Sequence, residues 1–247
     1  MQNKSLMSPS SISLEAPIPR DGRPTGAESP SAAERAVERA LGGRRATYAD
    51  EVRRLLEATF VLIERTGELE PRVGDIVREA GLSNQAFYRH FPSKQALLVA
   101  VLDEGVRILA SYLEHRMQAA ASPSERVCEW LRGLLEQALS PAGARATRPF
   151  VLARVRLAEA HPEEVAESER QLTALVREAL RAAVAAGELP AAEPEGDAGT
   201  LYHLAMGWLQ ARLCDGRPPD RRDAERLVDF ARHGLLRGAA TTAGLEA

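Results

Sequence analysis

Between Gly81 and Lys94 the sequence reads GLSNQAFYRHFPSK, and aromatic residues, only 4% of the chain, fill three of the five positions from 87 to 91. Phe87, Tyr88 and Phe91 are interleaved there with Arg89 and His90. These side chains divide by what they can bond. Asn84 and Gln85 carry amides able to pair with both N6 and N7 of adenine, and Ala86 offers a methyl for contact with thymine. Tyr88 and His90 can donate to phosphate oxygens, Arg89 can bind phosphate or reach a guanine edge, and Ser83 adds a hydroxyl at the start of the run. Lys94, one of two lysines in a chain that otherwise uses arginine, follows Ser93, a candidate helix cap. Free backbone N–H groups and the positive end of a helix dipole favour an anion at that place. From Arg72 to Lys94 four basic residues stand against Asp75 and Glu79, although the whole chain has a formal charge of −3. The binding of a polyanion would therefore come from a local patch and not from the overall field.

Such side chains work only on a scaffold that sorts inward from outward. Val52, Leu55, Leu56, Thr59, Phe60 and Ile63 recur at helical spacing, and Gly67 closes that segment. Val73, Ile76, Val77 and Ala80 give the same stripe over two turns, followed at once by Gly81. A second short segment then carries Leu82, Phe87 and Phe91 inward and leaves Ser83, Asn84, Gln85, Ala86, Tyr88, Arg89 and His90 outside. Two short helices meeting at a glycine turn make a helix-turn-helix, whose second member enters a major groove. After Pro92 a long amphipathic helix is expected to about Ala119, and five further helices follow from Ser122, with no strand-like alternation anywhere. The fold class expected is all-α, with an N-terminal three-helix domain over residues 46–93 and a larger helical domain over 94–238. Residues 1–45, rich in Ser, Pro and Gly, read as a disordered tail holding a short helix, Ser31 to Leu41, that Gly42 and Gly43 would end. Residues 239–247 read as a flexible C-terminus.

Residues 48–104, above all VGDIVREAGLSNQAFYRHFPSKQALLVAVL, resemble the DNA-binding domain of the tetracycline-repressor (TetR) family of transcriptional regulators. The resemblance implies that Asn84, Gln85 and Ala86 face bases and that Tyr88, His90 and Lys94 hold phosphates. It further implies that the C-terminal helices hold a pocket for a small inducing molecule and that the last two long helices form a dimer, so that the operator is a near-palindrome of double-stranded DNA. One departure stands out. Where the family usually opens its second helix with Thr or Ser, this chain has Glu70, Pro71, Arg72 and Val73. Arg72 offers a charged substitute for the missing hydroxyl, with a solvated side chain as the alternative.

Apolar faces in the last two helices fit a four-helix dimer bundle: Leu201, Leu204, Ala205, Trp208, Leu209 and Leu213 in one, Leu227, Val228, Phe230, Ala231, Leu235 and Leu236 in the other. Packing within a single chain competes with that reading. Candidates for the pocket are Trp130, Leu134, Phe150, Arg154, Tyr202, His203 and Met206, an apolar lining with a few polar groups. Other function classes lack their residues. The five histidines form no metal-binding pair on one helix turn, Cys128 and Cys214 have no zinc spacing, and neither a phosphate-cradling glycine loop nor a nucleophile elbow occurs. No enzyme, metal or cofactor is expected. No run of about eighteen apolar residues occurs, and the N-terminus lacks a signal-peptide core, so a cytoplasmic protein without membrane contact is expected. The competing reading is a helical small-molecule-binding protein that no longer binds DNA.

Overall fold

The structure is a computed structural model that describes residues 31–214 and 220–237. The unstructured segments expected at residues 1–30 and 239–247, and the turn at 215–219, lie outside the described residues. Nine helices are found among the described residues: α1 Ala32–Thr66, α2 Val73–Ala80, α3 Asn84–His90, α4 Lys94–Gln118, α5 Pro123–Leu139, α6 Pro141–Ala160, α7 Pro162–Ala185, α8 Pro194–Cys214 and α9 Arg221–Arg237. No strand occurs among them. The chain divides into two compact units, Met1–Arg44 and Arg45–Ala247. In the first, the helix expected to stop at Gly42 runs on through both glycines. A glycine in a helix interior costs about 1 kcal/mol against alanine, too little to end a helix flanked by strong formers such as Leu41 and Arg44.

Proline and serine explain where the helices of the second unit begin. Pro123, Pro141, Pro162 and Pro194 each open a helix, where the missing N–H has no helical partner to lose. Ser83, Ser93, Ser122 and Ser140 precede α3, α4, α5 and α6, and each hydroxyl accepts a backbone N–H of the first turn. At the end of α2, Gly81 takes the left-handed conformation, φ 63°, and Leu82 N–H donates to Val77 O at 2.8 Å. That is the helix stop that glycine permits at low cost.

Two cores result. Leu55, Ile63, Ile76, Phe87, Leu97 and Val101 bury the three-helix module formed by α1, α2 and α3 against the start of α4, and Leu157 of α6 is buried in the same cluster. The larger core joins α4, α5, α7, α8 and α9 around Trp130, Leu134, Val176 and Leu180. Trp130, a candidate pocket residue from its sequence, is instead fully buried here, and its indole N–H donates to Leu172 O at 3.0 Å, tying α5 to α7. Gly133, one turn later on α5, lets α4 approach closely: a Cβ there would lie 2.5 Å from Leu113 Cδ2. Burial pushes the Cys128 thiol up to about 11, which leaves it a small core hydrophobe.

Trp130→Ala removes both the largest buried ring and the α5–α7 hydrogen bond, and is expected to cost about 3–5 kcal/mol. Denaturant unfolding at fixed protein concentration measures it, and a loss under about 1 kcal/mol would contradict this placement.

Candidate nucleic-acid interface

Helix α3 has seven residues, and its two faces separate cleanly. Asn84, Gln85, Tyr88 and Arg89 are exposed, with Tyr88 59% accessible and its ring edge-on to Phe87. Ala86, Phe87 and Phe91 are buried. Ala86 was expected outside, ready to meet a thymine methyl. It is 6% exposed and so buried, next to Phe87 in the chain. His90 lies one turn beyond Ala86, and its side chain is only 7% exposed, where the sequence reading left it outside. Ser83 is exposed, and its hydroxyl is engaged as the cap of α3, accepting Ala86 N–H at 3.1 Å.

Four residues given no role from the sequence hold this surface in place. Glu51 of α1 accepts from Arg89 Nη2 at 2.5 Å and from His90 Nε2–H at 2.5 Å, through one carboxylate oxygen. The Tyr48 ring completes the cluster, with the Arg89 guanidinium 5.4 Å from its centroid and the His90 imidazole edge-on at 5.2 Å. Arg54, one turn along α1, donates to Ala80 O at 2.5 Å and Gly81 O at 3.1 Å, satisfying carbonyls that α2 leaves open at its end. The turn needs glycine for its backbone angle, and a Cβ there would lie 2.9 Å from that guanidinium and push it aside. Glu70, just before α2, pairs with Lys94 at 3.1 Å. A carboxylate in a sequence of mixed charges gives no sign of which distant cation it will meet, which is why these pairings could not be read from spacing.

The expected basic flank is therefore partly occupied. Arg72 is exposed as the N-cap residue of α2 and makes no capping bond through its side chain. Pro71 lies just ahead of the cap and is buried. Lys94 opens α4 beside the Ser93 cap and remains about one-third exposed. The hydrogen bonds from His90 and Arg89 hold Glu51 below the usual carboxylate range, and the same contact raises Arg89.

The larger unit contains a cavity of about 130 Å³ among α4, α5, α6, α7 and α8. Leu134, Phe150, Arg154, Tyr202 and Met206 line it, as do Leu102, Val106 and Leu109 of α4. Trp130 does not, being core, and neither does His203, which is exposed on α8, where its Nδ1–H donates to Gly199 O and its Nε2 lies 3.8 Å from Glu169. The α4 contribution was missed because its apolar stripe reads equally well as packing.

A pH test follows from the Glu51 cluster. Its carboxylate has a lower pKa folded than unfolded, where about 4.3 is usual. The stabilisation is thus complete above that value and fades as pH falls through the lowered folded value. Glu51→Gln is expected to be less stable than the parent at neutral pH, with the difference shrinking below about pH 4 in denaturant unfolding. A difference that stays constant with pH would show that the carboxylate charge is not what binds Arg89 and His90.

Residues 55–101 match the family described as bacterial regulatory proteins, tetR family. No curated protein matches the chain in sequence. Solved structures match it in fold. A TetR-family transcriptional regulator from Pectobacterium atrosepticum is 22% identical over 77% of this chain and 93% of its own, with a TM-score of 0.59. The transcriptional regulator FadR from Bacillus subtilis, solved with stearoyl-CoA, is 14% identical over 75% of this chain and 97% of its own, with a TM-score of 0.57. RolR, solved with resorcinol, is 18% identical over 79% of this chain and 92% of its own, with a TM-score of 0.60. At these identities the likeness is one of fold, and the family match covers the end of α1, all of α2 and α3, and the start of α4. The helix-turn-helix module at residues 55–101 is thus of the tetR family of bacterial regulatory proteins.

Proposed function

We propose that this chain is a cytoplasmic, homodimeric, ligand-responsive transcriptional regulator, a repressor released from a near-palindromic operator by a small molecule. The observation that carries the reading is the outer face of α3, where Asn84, Gln85 and Tyr88 stand exposed on a helix whose inner face is locked in the module core. Asn84 and Gln85 reach base edges; Tyr88, Arg72 and Lys94 hold phosphates, with Arg89 a further phosphate or guanine donor and the Ser83 hydroxyl beside them. His90 and Ala86 act from inside, by fixing the helix.

Dimerisation uses α8 and α9. Much of the apolar face expected there is spent within the chain, since Leu201, Ala205, Leu209, Val228 and Leu235 are buried. What is left outward supports an isologous contact: Phe230 is 71% exposed and Leu236 is exposed further along α9, with Leu204 and Trp208 half-buried on α8. A twofold dimer sets two α3 helices about 34–36 Å apart, in successive major grooves. The cavity serves as effector site, a reading supported by the ligands in FadR and RolR, two proteins of the same fold. Helix α6 joins the sites, because Phe150 lines the cavity while its ring lies 6.4 Å from that of Phe60 on α1. A ligand that binds better to the form with the wrong α3 separation weakens DNA binding in proportion to that preference. Across the described residues no helix is long and apolar enough to cross a membrane, and no group of three or more His, Cys, Asp or Glu is placed to hold a metal.

Selection of binding sites from random duplex DNA, followed by gel shift, tests the reading; failure to enrich any sequence favours a small-molecule-binding protein that has lost DNA binding. On the selected site, Lys94→Ala is expected to weaken binding to all sequences and reduce the salt slope by about one unit, while Gln85→Ala relaxes preference at particular base pairs and costs about 1–3 kcal/mol. Phe230→Asp is expected to give a folded monomer by sedimentation, with operator affinity down at least about tenfold. A variant that stays dimeric would move the interface elsewhere.

A further inference from the structure

The cavity carries one charge. Its lining is apolar apart from Arg154 and the neutral groups of Gln137, Thr147, Ser168 and Tyr202, and it contains no carboxylate. Arg154 stands at the edge, its side chain about one-third exposed, with the guanidinium 5.7 Å from the centroid of the buried Tyr202 ring. Nη2 reaches Glu169 at a long 3.4 Å, and Glu169 is shared with His203 at 3.8 Å. Arg154 Nε is buried and has no hydrogen-bond partner. A guanidinium presents five donors in a fixed fork, and burying one of them unmet is unfavourable unless a ligand satisfies it. In a site of low dielectric the partner that gains most is an anionic oxygen, because the hydrogen bond is then charge-assisted.

Volume limits the remainder of the ligand. An apolar cavity of about 150 Å³ holds a single benzene. The space here, about 130 Å³, suits one ring or a short branched chain and leaves no room for a long acyl chain as it stands. Resting on the reading of this cavity as the effector site, we propose that it takes a small organic monoanion, an apolar ring or compact hydrocarbon bearing one carboxylate or equivalent anionic oxygen, with that oxygen on Arg154. Leu102, Leu109, Phe150 and Met206 enclose the hydrocarbon, and the carboxylate lies toward the mouth, where it retains some water. A cation of the same shape is excluded by the charge of Arg154. A neutral amide fits the space and loses the charge-assisted bond.

Phenylacetate and phenylacetamide have the same outline and differ in charge. Calorimetric titration of the full chain at neutral pH and low salt is expected to give phenylacetate at least about tenfold tighter binding, which corresponds to about 1.4 kcal/mol. Arg154→Leu is expected to abolish that preference while phenylacetamide binds as before, and Arg154→Lys to keep part of it. Equal affinity in the parent chain, no binding of either compound, or a preference that survives in Arg154→Leu would each overturn the proposal. Should Arg154→Leu fail to fold, the comparison in the parent chain and in Arg154→Lys decides alone. Gel shift with the selected operator separates this result from the regulator reading. Phenylacetate bound without effect on DNA leaves the anion site standing and removes the effector role; a DNA complex released by phenylacetamide as readily as by phenylacetate does the reverse.

Discussion

A helix of seven residues does not hold itself in water, because nucleation costs more than so few hydrogen bonds return. The exposed face of α3 therefore has a defined geometry only to the extent that its other face is buried. Phe87 is fully buried in the module core and Phe91 nearly so, in one cluster with residues of α1 and α4. From outside, the same helix is held by polar contacts that leave little freedom of rotation. The Ser83 hydroxyl caps its start, Glu51 holds Arg89 and His90 near its end, and Arg54 fixes the turn before it through two carbonyls. All that Asn84, Gln85 and Tyr88 can recognise depends on that double constraint, since base readout tolerates little misplacement.

The same polar contacts set a cost on binding a polyanion. In the free chain Arg89 and Lys94 already face carboxylates, Glu51 and Glu70. A phosphate must compete with those partners or share the cation with them. Both pairs are solvent-accessible enough that each is worth little on its own, so competition is feasible at low salt and weaker at high salt. On the proposed reading, the arrangement would reduce non-specific attraction to any duplex while leaving the amides of α3 unaffected. Discrimination between sequences is favoured when the charge-driven part of binding is restrained in this way.

How far the sequence was legible follows the same division between stripes and pairings. Helical periodicity located the three-helix module, the glycine turn, the Ser93 cap and five helices after Ser122, because burial of one face imposes a repeat that composition alone displays. It put Phe87 and Phe91 inside correctly and still misplaced Ala86 and His90, which border the stripe and have types common on either side. Alanine carries no polarity to betray its face, and histidine reads as a donor until its partner is known. Glu51, Arg54 and Glu70 act across 24 to 39 residues of sequence, a separation at which no local pattern survives. The cavity was half visible for a related reason. Leu134, Phe150, Arg154, Tyr202 and Met206 stood out by mixed chemistry, whereas Trp130 looked equally suited to a pocket and proved to be a bracket between α5 and α7.

Helix α6 is where the two cores meet, and its composition suits a part that must move. Leu157 is buried with the three-helix module, while Phe150, Val151 and Arg154 line the cavity on the neighbouring turns. Between the helix start and these residues stands Pro149, which removes one backbone donor and loosens the ladder at the carbonyl of Arg145. Arg148 beside it donates instead to Leu213 O at 3.0 Å, tying the same turn to the end of α8. A helix interrupted at one point and anchored at both ends has few ways to respond when the space between them is filled. It can bend at the interruption, which carries Phe150 relative to Phe60 on α1, or it can shift as a body, which carries Leu157 out of register with the module. Either displacement reaches α1, and α1 is the element whose Glu51 and Arg54 hold the recognition helix. Packed interiors respond to such a change by adopting one arrangement or another rather than by deforming smoothly, so on the proposed reading a small ligand acting on one turn of α6 would bias the orientation of α3.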